Sequence, residues 1–125
     1  MSVAVLQYIA DRMDELGIPY AFMRWASGQP PGYYFVGEYF ETPSLTLEEN
    51  GFQESTFVLR GFTRGDWLQL EHAKEKIERG MGKTAILEDG SGVAVFYESG
   101  TVIPSGNDEL KSIKINLNIQ EWKVR

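Results

Sequence analysis

Apolar residues recur along this chain with two different periods, and the switches between them mark out its elements. Near the start, Val5, Leu6, Ile9, Met13 and Leu16 fall on one helical stripe, with Gln7, Asp11, Asp14 and Glu15 away from it. Ser2 suits the cap of that helix, Gly17 its end, and Pro19 prevents its continuation. Tyr20 to Trp25 then reads as a strand, and the loop Ser27-Gly28-Gln29-Pro30-Pro31-Gly32 as the turn that folds it into a hairpin with a second strand, Tyr33 to Thr42. That second strand, YYFVGEYFET, is aromatic on both faces, which predicts cover on both. Gly37 within it marks a bulge or a close approach.

The stretch STFVLRGFTRGDWLQLEHAKEKIERGM, from Ser55 to Met81, reads as a strand, a tight turn and an amphipathic helix. Phe57 and Leu59 alternate with Val58 and Arg60, which fits a pleated strand, and the turn is expected from Gly61 to Gly65. Asp66 is placed to cap a helix in which Trp67, Leu70, Ala73, Ile77 and Met81 share a face, closed by Gly80 and Gly82. Lys83 to Leu87 and Val93 to Tyr97 flank Glu88-Asp89-Gly90-Ser91-Gly92, a second hairpin. Glu98 to Glu109, with Gly100, Pro104, Gly106, Asn107 and Asp108, reads as a long exposed loop.

The strongest alternation comes last, in Leu110 to Val124, with Ile113, Ile115, Leu117 and Ile119 on one face and Lys114, Asn116, Asn118 and Gln120 on the other. The order α-β-β-β-α-β-β-β predicts a single α+β domain over residues 1–125: a mainly antiparallel sheet with two helices packed on one face. The segment PSLTLEENG, Pro43 to Gly51, has no clear period and reads as a projecting loop or arm.

Composition narrows the chemistry. The chain has 125 residues, 42% hydrophobic and 24% charged, which is ordinary globular usage with a core to bury. Eighteen acidic residues against 12 basic ones leave a net charge of −6, which disfavours a nucleic-acid backbone as ligand. The absence of cysteine excludes disulfides and thiolate zinc sites. Gln7 and Asp11 interrupt the N-terminal apolar residues too early for a secretion signal or a membrane span, so synthesis in the cytoplasm is expected.

No catalytic signature emerges, and neither enzymatic activity nor a cofactor is expected. His72 is the only histidine and lies about 160° from the apolar centre of its helix at 100° per residue. Gly82-Lys83-Thr84 imitates the end of a phosphate-binding loop, but Ile77 stands where the required glycine would be. Arg60-Gly61-Phe62 imitates the start of an RNA-recognition motif, yet Thr63 and Arg64-Gly65 break it. Arg64-Gly65-Asp66 is explained as a turn and a helix cap. Trp25, Tyr33, Tyr34, Phe35, Tyr39 and Phe40 form an aromatic cluster suited to core packing, subunit contact or a small-ligand pocket.

Taken together, the N-terminal helix, the strand YYFVGEYFETPS, the strand leading to Asp66 and its helix, and the closing strand SIKINLNIQEWKV resemble the small tail-terminator or tail-completion proteins of long-tailed bacteriophages and prophages. The resemblance implies a non-catalytic minor tail protein of the virion, assembled in the bacterial host. It would form a hexameric ring on the last ring of the tail tube protein, stop tube growth and offer the surface to which head-tail connector proteins attach. Under it, Pro43, Leu45 and Leu47 are candidates for a subunit-interface arm. Glu48, Glu49 and Glu54 are candidates for a lumen wall that lets DNA pass without gripping it. Two other readings stay open: a different head-to-tail connector, and a small-molecule-binding or catalytic α+β domain that uses the aromatic strands as a pocket.

Overall fold

The fold is described from a computed structural model, which defines residues 1–25, 28–41, 52–103 and 110–122. In chain order its elements are helix α1 (Val3–Glu15), strands β1 (Tyr20–Phe22), β2 (Tyr33–Glu41) and β3 (Phe52–Thr63), helix α2 (Trp67–Gly80), and strands β4 (Thr84–Ile86), β5 (Gly92–Ile103) and β6 (Lys111–Trp122). The strands form one six-stranded sheet in the order β1-β2-β3-β6-β5-β4, antiparallel except where β1 meets β2. This is the α+β order that the pattern of apolar positions predicts.

Pleating sorts the sheet into two unlike faces. Phe35, Phe57, Leu59, Val93, Val95, Ile113, Ile115, Leu117 and Ile119 point to one side and are buried with Val5, Ile9 and Met13 of α1 and Leu70, Ala73 and Ile77 of α2. They form one apolar cluster, so both helices cover the same face. The opposite face carries Tyr34, Val36, Glu38 and Phe40 of β2 beside Phe62, Arg60, Val58 and Thr56 of β3. No helix among the described residues covers it, contrary to the cover expected on both faces of β2; Phe40 is 59% exposed.

Both helices start on capping side chains. Ser2 Oγ accepts from Val5 N–H at 3.2 Å and donates to Glu121 Oε2 at 3.2 Å, tying α1 to the end of β6, where Glu121 is buried. Ser2→Ala is expected to cost about 1–2 kcal/mol in urea unfolding, because it removes a cap and also a partner of a buried carboxylate. Asp66 Oδ1 accepts from Leu68 N–H at 3.0 Å, and Asp66→Ala should cost about 1 kcal/mol by the same measurement. Arg12, reaching from α1, donates through Nη2 to the Gly80 carbonyl, which places a cation at the negative end of α2.

Four local expectations are corrected. β1 is shorter than Tyr20 to Trp25, because Met23 at φ 70° ends it. β1 and β2 run parallel rather than as a hairpin: Phe35 N–H donates to the Pro19 carbonyl at 2.8 Å and Met23 N–H to the Gly37 carbonyl at 2.7 Å. Gly61 lies inside β3 and not in the turn, which begins only after Thr63. Glu98 to Ile103 belongs to β5 and is not loop, with a bulge between Tyr97 and Ser99 that shifts the alternation.

Candidate interaction surface

The aromatic cluster of β1 and β2 is divided by the pleat. Phe35 goes to the core, with Tyr33 and Tyr39 packed against it, while Trp25 and Tyr34 stay on the open side. There Tyr34 gains a neighbour from β3 that sequence reading left out: Phe62 sits directly opposite it, with ring centroids 5.3 Å apart and an interplanar angle of 29°. Trp25 tilts against Tyr34 at 5.6 Å. The missing signal was the β2–β3 register, which period-2 alternation within one strand does not supply.

These three rings line an open groove of about 320 Å³ together with Met23, Val36, Arg24, Arg60 and Glu38. Arg60 Nε donates to Glu38 Oε1 at 2.9 Å across the strands, so that pair is neutralised. The groove therefore offers apolar and aromatic area with one further guanidinium, from Arg24, at its rim. Beyond it the open face turns polar: Asn118 Nδ2 donates to Glu54 Oε1 at 3.0 Å and Gln120 to Asn118 at 3.2 Å. Glu54 is half-buried there. The other expected site residues, Pro43, Leu45, Leu47, Glu48 and Glu49, lie outside the described residues.

Among the described residues no three His, Asp or Glu side chains converge as metal ligands. His72 is exposed on the outer face of α2, beside Glu75, Lys76 and Arg79 of the same helix. Burial pushes the Tyr20 phenol well above its ordinary value, and burial, opposed by Lys74, raises that of Tyr97. Asp89 is held below the usual carboxylate range because Oδ1 accepts from Ser91 Oγ–H at 2.5 Å and from Ser91 N–H at 2.9 Å. A depressed pKa means the turn gains stability above the unfolded carboxylate's value and loses it as pH falls through the folded one. Acidification should therefore lower the protection of the Ser91 amide, its exchange rate taken relative to that of an unstructured amide at the same pH, before global unfolding in the wild type, and Asp89→Asn should remove that step.

No helix among the described residues is long and apolar enough to cross a membrane. No protein-family model matches the chain, and no curated protein matches it in sequence.

Proposed function

We propose that this chain is a structural protein of a bacteriophage tail, the terminator that caps the tail tube as a ring and presents the head-attachment surface. The observation that carries the reading is the order of elements: an N-terminal helix, three strands, an Asp66-capped helix and three strands closing on the long β6. That is the order on which the resemblance to tail terminators rests. The surface agrees with a building block: one sheet face is covered by both helices and the other displays aromatic residues beside the neutralised Arg60–Glu38 pair, with no cluster of metal-ligating side chains among the described residues.

In this reading the partners are further copies of the chain, the tail tube protein below and head-tail connector proteins above, with DNA passing through the lumen. Glu48, Glu49 and Glu54 supply carboxylates to that wall, so Glu48→Lys with Glu49→Lys should impair DNA retention in filled particles; unaltered retention would count against the assignment. The deciding experiment is negative-stain electron microscopy of particles lacking this gene. Headless tubes of uncontrolled length are expected. Tails of normal length lying free beside filled heads would instead make the chain a connector, and intact virions would remove it from the tail.

One observation favours a second reading. The Trp25-Tyr34-Phe62 groove, with Arg24 at its rim, has the composition of a site for a planar or apolar small molecule. A stable monomer whose Trp25 fluorescence responds saturably to such a ligand would support it over the structural one.

A further inference from the structure

The sheet ends on two backbone edges that are unequal in length and open on opposite sides. At the β5 side, Leu87 N–H donates to the Ser91 carbonyl at 2.8 Å and Val95 N–H to the Lys83 carbonyl at 3.0 Å. Ser91, just before β5, and Val93 and Val95 within it thus turn their backbone groups outward, toward β4. β4, however, pairs only with Gly92 to Ala94. Tyr97 continues the outward series, and the bulge before Ser99 shifts it by one residue, so that Gly100 and Val102 face out as well. No described strand pairs with them.

At the far side of the sheet, the bonds from Phe35 N–H to Pro19 and from Met23 N–H to Gly37 turn Pro19, Ala21 and Met23 toward β2. Tyr20 and Phe22, between them, turn their backbone groups away from the sheet, where the Phe22 carbonyl accepts from Arg24 N–H at 2.9 Å and the Phe22 N–H and the Tyr20 groups face outward, and β1 is its outermost strand.

Solvent-exposed strand edges are templates for adding another strand, and soluble proteins blunt them with lysine, proline or twist. Phe96 to Ile103, FYESGTVI, carries neither lysine nor proline; of such devices it keeps the bulge and the exposed Glu98. Apolar side chains flank both edges: Phe96 is 49% and Val102 45% exposed beside one, Phe22 40% and Met23 59% beside the other. Strand directions also agree. Following the pairings across the sheet, β1 runs in the direction of β4 and opposite to β5. In a second copy placed head to tail, β1 would therefore continue the line of β4 and lie antiparallel to the open half of β5.

We propose that these two edges are the halves of one contact between copies of this chain: β1 of each subunit adds to β5 of the next, making the sheet continuous across subunits. The contact is heterologous, using unlike surfaces that close a ring by rotation. It rests on the ring reading above and specifies which backbone groups join the ring.

Proline supplies a sharp test. At Val102 or Phe22 it removes an N–H that faces outward, so it deletes the donor offered to the neighbour while leaving the bonds within the sheet, and edge strands tolerate proline. In sedimentation velocity of the full chain, wild type is expected to assemble. V102P and F22P, with circular dichroism unchanged, should each be monomeric. An equimolar mixture should form a dimer and nothing larger, because each variant keeps one intact edge. In the wild-type oligomer, the Tyr97 and Gly100 amides should exchange at least about tenfold more slowly than in either variant, as should the Phe22 amide relative to V102P and the Val102 amide relative to F22P.

Either variant assembling like wild type, a mixture that stays monomeric, or fast exchange at these amides in the assembled wild type overturns the contact and leaves the ring reading standing. A wild-type chain that stays monomeric at all concentrations and on isolated tail tubes overturns both.

Discussion

Phe35→Ala is expected to destabilise the fold by about 3–5 kcal/mol and Gly61→Ala by about 1–3 kcal/mol, yet the double variant should lose less than the sum. Phe35 is fully buried and stands directly opposite Gly61 in the β2–β3 register. Its ring lies over the glycine: a Cβ built there would meet Phe35 Cε2 at 2.5 Å and Cζ at 2.6 Å. In the wild type that methyl group must displace a packed aromatic ring against the core. With Phe35 truncated, the same methyl enters the cavity just created and also restricts the unfolded chain, so its effect should change sign to mild stabilisation. Urea unfolding of the four proteins checks this. Additivity within about 0.5 kcal/mol would mean that the ring and the glycine are not coupled.

The same pair shows where sequence reading reaches its limit. Gly61 reads as a turn residue because glycine punctuates chains, but here it is a strand position that must lack a side chain because of Phe35, 26 residues earlier. Gly37 repeats the arrangement: its absent Cβ leaves room for the Phe57 ring and the Tyr20 hydroxyl, so the expected close approach is present and a bulge is not. Elements governed by local chemistry were legible. The alternation of Ile113 to Ile119, the Asp66 and Ser2 caps, and the Gly90 turn at φ 86° all declare themselves within a few residues.

What was not legible depends on partners distant in sequence. The Pro-Pro-Gly loop signals a change of direction, but only the bonds to Pro19 and from Met23 set β2 parallel to β1. The end of β5 was hidden by its own bulge, which moves the inward positions from Val95 and Tyr97 to Gly100 and Val102 and so erases the two-residue period. The candidate surface failed in the same manner. An aromatic run on one strand looked like a cluster, whereas the pleat divides it and Phe62 from the next strand completes the exposed half. The open edges proposed to join subunits are set by backbone pairing across the sheet, which no pattern of side chains along one strand declares.

Alkaline pH should reveal how firmly β1, the strand assigned to one of those edges, is held. Tyr20 is largely buried, and burial raises its pKa above the ordinary value near 10. The unfolded chain therefore releases this proton first. Above about pH 10 the unfolded state binds fewer protons than the folded one, so stability is complete below that pH and falls as pH rises, by about 1.4 kcal/mol per unit while only the unfolded phenol is ionised. Tyr20→Phe cannot show this loss. Its unfolding free energy relative to wild type should rise by about 2–3 kcal/mol between pH 10 and 12. Tyr97→Phe should show the same sign, because the Tyr97 pKa is raised as well. Parallel pH curves for wild type and Tyr20→Phe would show that the phenol ionises without resistance from the fold. Because Tyr20 anchors β1 beside Gly37, with Phe22 stacked on Tyr39 at 6.1 Å, its ionisation should also loosen the strand edge itself. If the proposed contact forms, wild-type assemblies should dissociate at a lower pH than Tyr20→Phe assemblies, which would tie the protonation of this phenol to that contact.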